Sequence, residues 1–301
     1  MSDTLVRIVS EAGDLRGIAC LSTDLVNDAC SRHRTSPTAS AAFARALTGG
    51  ALMSALVKGD QRLAIKFEGN GPIQKILVEA DADGCVRGRV GNPDADLPFK
   101  DGHIDVAGSL GSAGLLTVIR DLGLKEPVSG TVHLVSGEIG EDLAYYFAES
   151  EQIPSAVGVG ACFNTDGTIA AAGGFLIQSL PPANDSSIES ITAMINAMPP
   201  LSTMLKDGQT PEAILRHIFA EVPYKILSET PVAYKCNCSR ERFERGLLTL
   251  GIDELKKIAN EDPDGILTKC EYCHEQYEFK TEDLEMLVRV LVRAQTGDYN
   301  F

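Results

Sequence analysis

The sequence predicts a mixed α/β protein with three parts, namely a core of strands and helices, a mainly helical segment, and a small C-terminal module. Over residues 1–180 the hydrophobic pattern switches between the two-residue period of strands and the longer period of helices. A Leu-Pro-Pro sequence at positions 180–182 marks a change in composition, and residues 181–231 follow with helical patterns. Residues 232–301 hold four of the eight cysteines and form the third part.

The composition supports a globular core and disfavours two classes of partner. Hydrophobic residues make up 44% of the 301 residues, and the absence of Trp makes the expected core mainly aliphatic. Acidic residues outnumber basic ones by 42 to 27, which gives a net charge of −15. Because this charge repels phosphate groups at long range, we expect neither nucleic acid nor a membrane surface as a partner.

The sequence also predicts a cytoplasmic protein. No run of about 18 uninterrupted apolar residues is present, so no membrane span is expected. The first residues lack the basic head and apolar block of a signal peptide. In a reducing compartment the cysteines are expected to be thiols or metal ligands rather than structural disulfides.

Two helices are predicted near the start of the core. Thr23 is placed to cap a short helix that runs through Cys30. Ser36-Pro37 combines a capping hydroxyl with a proline at the first helical position. An alanine-rich run from Thr38 to Lys58 continues this second helix.

The strands of the core are predicted from alternating hydrophobicity. Residues 62–69 alternate apolar and polar side chains, as a half-buried strand does. Residues 73–90 predict two strands joined at Asp83-Gly84, which is a common hairpin turn. Further strands are predicted at residues 115–120, 131–136, 156–162 and 170–178, and a helix is predicted at residues 141–152.

Residues 181–231 are predicted to be a helical linker. Ser186 and Glu189 have the spacing of a capping box, and Thr210-Pro211 opens a second helix. The first of these helices has one apolar face, formed at three- and four-residue steps by Ile188, Ile191, Ile195 and Met198.

The third part, residues 232–301, contains three signals of helix boundaries. Ser239 is a candidate N-cap, Gly251 interrupts the helix that follows, and Thr281 begins a final helix. Apolar residues recur at helical spacing after Thr281, which predicts that this helix packs against the rest of the module.

The cysteines of this part form two close pairs. Cys236 and Cys238 are separated by one residue, Cys270 and Cys273 by two, and residues 239–269 lie between the pairs. Two such pairs suit a tetrahedral four-cysteine zinc site. Four thiolates would fill the coordination shell of zinc, so the pattern indicates a structural or regulatory site rather than a hydrolytic one.

Spacing alone leaves other chemistries open. The sequence CEYCH at residues 270–274 matches the attachment string of c-type haem, although that attachment requires export. Four cysteines also suit an iron–sulfur cluster. Dithiol exchange by Cys270 and Cys273 is a further alternative, although the βαβ pattern that usually accompanies it is missing. His274 is a conceivable substitute for one thiolate.

Two other features are assigned structural roles. Single cysteines among apolar or strand-like residues are predicted to be small buried side chains, and these are Cys20, Cys30, Cys85 and Cys162. The acidic segment SGEIGED at residues 136–142 is predicted to be a helix N-terminus, where negative charge favours the helix dipole, rather than a cation site.

Several longer segments resemble one family, the redox-regulated bacterial heat-shock chaperones of about thirty-three kilodaltons. YKCNCSRERF (234–243) and TKCEYCHEQYEF (268–279) resemble its C-terminal module. FEGNGPIQKILVEAD (67–81), the long segment 114–160 and AAGGFLIQSLPPA (171–183) resemble its core. The resemblance implies an α/β core of stacked sheets, a helical linker and a zinc module. It also implies an ATP-independent holdase, not an enzyme, that binds unfolding proteins and forms a homodimer when active.

The resemblance further implies how the cysteines act. Cys236, Cys238, Cys270 and Cys273 would bind one Zn²⁺ per chain in the reduced, inactive form. In the oxidised form they would pair as Cys236–Cys238 and Cys270–Cys273, and the zinc would be released. Four cysteines allow three pairings, so the sequence itself does not select one.

Our hypothesis for the switch concerns residues 185–225. If the zinc module holds this segment against the core, its unfolding would release the apolar face of Ile188, Ile191, Ile195 and Met198 to bind clients. Two other functions are compatible with the sequence. One is a thiol–disulfide oxidoreductase that uses Cys270 and Cys273, and the other is an interaction module that zinc merely stabilises.

Overall fold

The computed structural model describes residues 2–182 and 185–296, and its contacts divide the chain into two compact units, Met1–Lys235 and Cys236–Phe301. The three-part division expected from the sequence stays a prediction, and positions 183 and 184 of its linker lie outside the described residues. None of the described helices has the length and apolar character needed to cross a membrane.

The first unit combines strands and helices throughout its length. Its described strands are β1 (Thr4–Ser10), β2 (Leu15–Leu21), β3 (Arg62–Glu68), β4 (Lys75–Asp81), β5 (Cys85–Val90), β6 (Leu115–Asp121), β7 (Val128–His133), β8 (Ser155–Phe163), β9 (Ile169–Ser179), β10 (Tyr224–Pro231) and β11 (Ala233–Tyr234). Its described helices are α1 (Thr23–His33), α2 (Pro37–Ser54), α3 (Val106–Leu110), α4 (Gly140–Glu149), α5 (Asp185–Ala197), α6 (Leu201–Lys206) and α7 (Pro211–Ile218).

The strands of this unit form two sheets. One sheet has the order β10-β1-β2-β9-β8 and is antiparallel throughout. The other has the order β11-β5-β4-β3-β6-β7, in which only the pairing of β11 with β5 is parallel. Alternation along β3 buries Leu63, Ile65 and Phe67, so one face of the second sheet is apolar.

Helix α2 lies between the two sheets. It contacts β3, β4 and β5 of the six-stranded sheet and β2, β8 and β9 of the five-stranded sheet. Small residues permit this close packing, since an added Cβ at Gly49 would lie 2.7 Å from Leu143 Cδ1 and one at Gly50 would clash with Val78. The predicted start of the helix is confirmed, because the Ser36 hydroxyl accepts a hydrogen bond from the backbone N–H of Ala39. The stacked-sheet fold is therefore confirmed.

Helices α5 to α7 cover the other face of the five-stranded sheet. Gly17 of β2 allows this contact, because a Cβ there would lie 2.7 Å from Ile8 Cγ1 and 2.9 Å from Phe219 Cε2. We call the apolar side chains between this face and the helices the outer cluster. Its buried members include Val6, Ile8, Phe175, Ile177, Ile191, Leu205, Ile214 and Phe219.

Several sequence predictions of local structure require correction. Thr23 does not cap α1; its hydroxyl instead accepts the backbone N–H of Ala172, and Ser22 occupies the cap position. Helix α5 begins at Asp185, one residue before the predicted cap. Residues 224–231, predicted to belong to a helical segment, form β10, because their backbone pairs with β1. Local periodicity does not contain such long-range pairing.

The prediction of four buried core cysteines holds fully for one of them. Cys20 is buried within the core, whereas Cys30, Cys85 and Cys162 are only partly buried. Burial raises the pKa of the thiol in each case, so all four are expected to be protonated at neutral pH.

The acidic segment at residues 136–142 is a helix N-terminus, as predicted. The buried carboxylate of Asp142 accepts backbone N–H bonds from Val135 (2.8 Å), Ser136 (3.0 Å), Gly137 (3.3 Å) and Ile139 (3.1 Å). One carboxylate therefore satisfies four donors that have no partner in the helix. It fixes the loop between β7 and α4.

We predict that Asp142→Ala lowers the free energy of unfolding of the first unit by about 3 kcal/mol, because four donors lose their charged acceptor. Urea denaturation followed by circular dichroism measures the change. Glu141→Ala is the matched control, because Glu141 lies in the same helical turn and is exposed. Equal destabilisation by the two substitutions would contradict the assigned role of Asp142.

Candidate metal centre

The four C-terminal cysteines meet at one point of the second unit. This unit contains α8 (Arg240–Leu248), α9 (Ile252–Glu261), β12 (Ile266–Lys269), β13 (Gln276–Phe279) and α10 (Thr281–Thr296). The sulfur atoms of Cys236, Cys238, Cys270 and Cys273 all lie within 4.8 Å of one another. Cys236 Sγ is 3.7 Å from Cys270 Sγ, and Cys238 Sγ is 3.3 Å from Cys273 Sγ.

A short hairpin presents the second cysteine pair. Strands β12 and β13 pair in an antiparallel manner, and Cys270 and Cys273 are buried in the turn between them. The backbone N–H of Cys270 donates to the Glu275 carbonyl, and that of His274 donates to the Cys270 carbonyl, both at 2.9 Å. His274 adopts a φ of 61°, which turns the chain back into β13. These bonds hold both sulfurs on one side of the turn.

The first cysteine pair lies in the segment just before α8. Ser239 caps that helix as predicted, because its hydroxyl accepts the backbone N–H of Arg242. The Arg242 guanidinium donates to both the backbone carbonyl (2.9 Å) and the side-chain oxygen (2.7 Å) of Asn237. Asn237 is the residue between Cys236 and Cys238, so these bonds fix the backbone that carries the two sulfurs.

The surroundings favour the protonated form of two of these thiols. Burial raises the pKa of Cys238 and of Cys273 above the ordinary range of a thiol. The hydroxyl of Tyr277 lies 3.2 Å from Cys238 Sγ, and this hydrogen bond raises the pKa of Tyr277. A divalent cation that binds here must therefore displace protons from the sulfurs.

The donor set fits a single tetrahedral ion. Bonds of about 2.3 Å from zinc to sulfur imply sulfur–sulfur separations of about 3.8 Å in a regular tetrahedron. The separations of 3.3 Å and 3.7 Å, within an overall limit of 4.8 Å, are close to that value. Among the described residues, the cysteines alone form a group that could hold a metal ion, and His274 is not part of it.

The apolar core around this centre is small. Besides the cysteines, the fully buried hydrophobic residues among those described are Leu255, Phe279 and Leu284, and nine partly buried apolar side chains pack against them. Arg240 lies over the Phe279 ring, 4.4 Å from its centroid, and pairs with Asp283 at 2.7 Å. So few buried side chains provide little hydrophobic stabilisation for a unit of this size.

The predicted client-binding face lies against the core in this structure. Ile191 is 5% exposed and belongs to the outer cluster, and Ile188, Ile195 and Met198 are partly buried against it. A cavity of about 180 Å³ lies beside three of these residues. It is lined by Leu15, Pro154, Ile177, Ile188, Ile191 and Ile195, among others. Client binding by this face stays a prediction.

A core of two stacked sheets, combined with a separate four-cysteine unit that could hold one metal ion, defines a class of proteins with a cysteine-rich accessory module. Comparisons with known proteins identify the family within this class.

A family model described as Hsp33 protein matches residues 3–280. The 33 kDa chaperonin of Geobacter sulfurreducens is 56% identical over 287 residues, which cover 95% of each chain. That of Desulfotalea psychrophila is 49% identical over 98% of this chain and 100% of the relative. The crystal structure of the 33 kDa chaperonin, a heat shock protein 33 homolog, from Thermotoga maritima matches with a TM-score of 0.89 at 35% identity, covering 97% of this chain and 99% of that one. The chain belongs to the Hsp33 family of chaperones.

We predict that Cys270→Ser weakens zinc binding at least about 100-fold, because even the loss of a second-shell partner costs about 10–100-fold in metal affinity. The C-terminal unit should lose its cooperative thermal unfolding at the same time. Competition with a chelating dye measures the affinity, and Cys85→Ser, which removes a partly buried thiol of the first unit, is the control. A Cys270→Ser protein that keeps one tightly bound zinc and full thermal stability would contradict the ligand assignment.

Proposed function

We propose that this chain is an ATP-independent holdase that oxidation activates. In the reduced form Zn²⁺ is bound by Cys236, Cys238, Cys270 and Cys273, and the chaperone is inactive. Oxidation to two disulfides releases the zinc, and the protein then binds unfolding proteins and prevents their aggregation. The main support is the convergence of four sulfurs within 4.8 Å in a unit with a small apolar core.

The identity of the metal is part of the proposal. A single zinc ion places its four sulfurs about 3.8 Å from one another, whereas a cluster of several irons holds its cysteines farther apart. The separations of 3.7 Å and 3.3 Å, within a limit of 4.8 Å for all four sulfurs, support a single ion. When bound, zinc keeps the sulfurs as thiolates, which are the form that oxidants attack. It thus supplies stability and oxidant sensitivity at the same four atoms.

Peroxide can serve as the oxidant that converts the thiolates into disulfides. A thiolate attacks one peroxide oxygen, forms a sulfenic acid and releases hydroxide. A second thiolate then attacks the sulfenic sulfur, forms the disulfide and displaces the sulfenic oxygen as a second hydroxide. Two peroxide molecules convert four thiolates into two disulfides. Membership of the family supports the pairing Cys236–Cys238 and Cys270–Cys273. Each of these disulfides closes a very short loop and constrains the unit little.

Loss of zinc should unfold the second unit. Zinc contributes on the order of 10–16 kcal/mol to the folding of small zinc-finger peptides. Because the buried core here is so small, we propose that the metal supplies much of the free energy of folding of this unit. Oxidation therefore converts a local chemical change into the unfolding of the whole module.

Unfolding of the module is proposed to free the linker helices. Helix α5 places Ile191 in the outer cluster, so the apolar face is covered in the structure described. Its release would expose a contiguous apolar surface, which is what an unfolding client can bind. We further propose, from the family, a cytoplasmic location and a homodimer as the active form.

We predict that peroxide treatment releases about one zinc per chain and that only the treated protein suppresses aggregation of a thermally unfolding test protein without ATP. Light scattering and a zinc-sensitive dye measure both effects in one tube, and the Cys85→Ser variant should behave like the unaltered chain. Zinc release without suppression would refute the holdase. Catalytic turnover of a disulfide substrate without client holding would favour an oxidoreductase that uses Cys270 and Cys273.

We also predict that oxidation increases the rate of proteolysis within residues 185–225 at least about tenfold. The reason is that helices freed from the outer cluster expose backbone to the protease. Limited digestion followed by mass spectrometry locates the cuts, and cleavage at the Asp83-Gly84 turn provides the control. Unchanged protection of residues 185–225 in zinc-free, oxidised protein would disprove release of the linker.

A further inference from the structure

A cluster of three arginines lies in the first unit and has no part in the redox chemistry. Arg7 is on β1 and Arg16 on β2 of the five-stranded sheet, and Arg120 is on β6 of the six-stranded sheet. Because the chain carries a net charge of −15, a concentration of positive charge inside it is unexpected.

Strand register places two of these arginines side by side. Arg16 pairs with Val9 and Arg7 pairs with Ile18, so Arg7 and Arg16 are diagonal neighbours on one face of the sheet. Ile18 and Leu5, on the same face, belong to the buried core between the sheets. The two guanidiniums therefore extend from the face that is turned toward the other sheet.

The third arginine enters the same space from the opposite sheet. Arg120 alternates along β6 with Leu116 and Val118, which belong to the same buried core. Burial, together with the charges of Arg7 and Arg120, lowers the pKa of Arg16. Arg16 therefore lies within electrostatic range of the other two guanidiniums, one on its own sheet and one on the opposite sheet.

One carboxylate offsets part of this charge. Glu151 pairs with Arg120. Burial, together with the negative charge of Glu151, raises the pKa of Tyr146 to about 12. The side-chain oxygen of Gln178 accepts a hydrogen bond of 2.6 Å from Arg16 Nη2 but carries no charge. Arg16 and the two described guanidiniums that act on it thus face one carboxylate, so these four groups together carry a net charge of +2.

The cluster also has donors without acceptors. The Nε–H groups of Arg7, Arg16 and Arg120 are all buried, and none has a hydrogen-bond acceptor among the described residues. Buried charged donors are destabilising unless a counter-charge and acceptor atoms are present. The arrangement therefore lacks negative charge and acceptor oxygens at the same place.

We propose that Arg7, Arg16 and Arg120 form a binding site for a small divalent oxyanion of the phosphate type. A tetrahedral anion offers several acceptor oxygens, and guanidinium forks bind such oxygens in pairs. Its charge of −2 equals the excess charge of the cluster, whereas a monovalent carboxylate would leave half of that excess.

The first test uses the reduced, unaltered full-length chain and inorganic phosphate. Isothermal titration calorimetry at constant ionic strength should show saturable binding with one phosphate per chain, and phosphate should raise the melting temperature. Sulfate should compete if the site selects divalent oxyanions in general, and its failure to compete would make phosphate the specific ligand. Absence of saturable phosphate binding to the unaltered chain would overturn the proposal.

The second test asks whether the phosphate ion binds at the three arginines. Arg7→Gln should weaken phosphate binding at least about tenfold, because one charge-assisted donor group is lost. In phosphate-free buffer the same variant should melt at an equal or higher temperature, since repulsion with Arg16 is relieved. Arg62→Gln, which removes an exposed arginine of β3, is the control and should change neither.

Two outcomes of this second test would refute the site. Unchanged phosphate affinity in Arg7→Gln would mean that phosphate binds elsewhere on the chain. Equal weakening in Arg7→Gln and Arg62→Gln would show a general charge effect rather than a site. If Arg7→Gln does not fold, Arg7→Lys, which keeps the charge but loses the planar fork, should show an intermediate loss of affinity.

Discussion

The burial of helix α2 on all sides is the constraint from which the rest of the first unit follows. A helix without a solvent face needs apolar surfaces on two sides, and the two sheets provide them. The helix must be thin to fit, which explains its alanine and glycine content. At its start the Ser36 hydroxyl accepts the backbone N–H of Ala39, and the Asp96 carboxylate accepts that of Thr38.

The second unit is organised on a different principle. Its described residues form one cluster of four sulfurs and a small apolar core centred on three buried side chains. If a metal ion joins the four sulfurs, as proposed, a chemical change at the cluster would affect the folding of the whole unit. The chain thus joins a unit with an extensive core and a unit whose stability we propose to depend on a metal ion.

The features that the sequence predicted are those with local causes. The hairpin at Asp83-Gly84 and the helix starts at Ser36 and Thr210 follow from a few adjacent residues, and the structure has all three. The cysteine cluster was predictable because its spacing is distinctive. In contrast, β10 depends on a partner more than 200 positions away, and the three arginines come together only through the register and stacking of two sheets.

The return of the chain into β10 has a consequence for helices α5 to α7. These helices lie between β9 and β10, which both belong to the five-stranded sheet and are separated there by β1 and β2. At about 4.8 Å per strand, the two anchor points are only about 14 Å apart. If the helices leave the sheet, they form a loop that stays attached to the sheet at both ends, rather than a free tail. Their reach is then limited, and their return is an intramolecular step whose entropic cost grows only with the logarithm of the loop length. The topology therefore favours reversible release of these helices over their permanent unravelling.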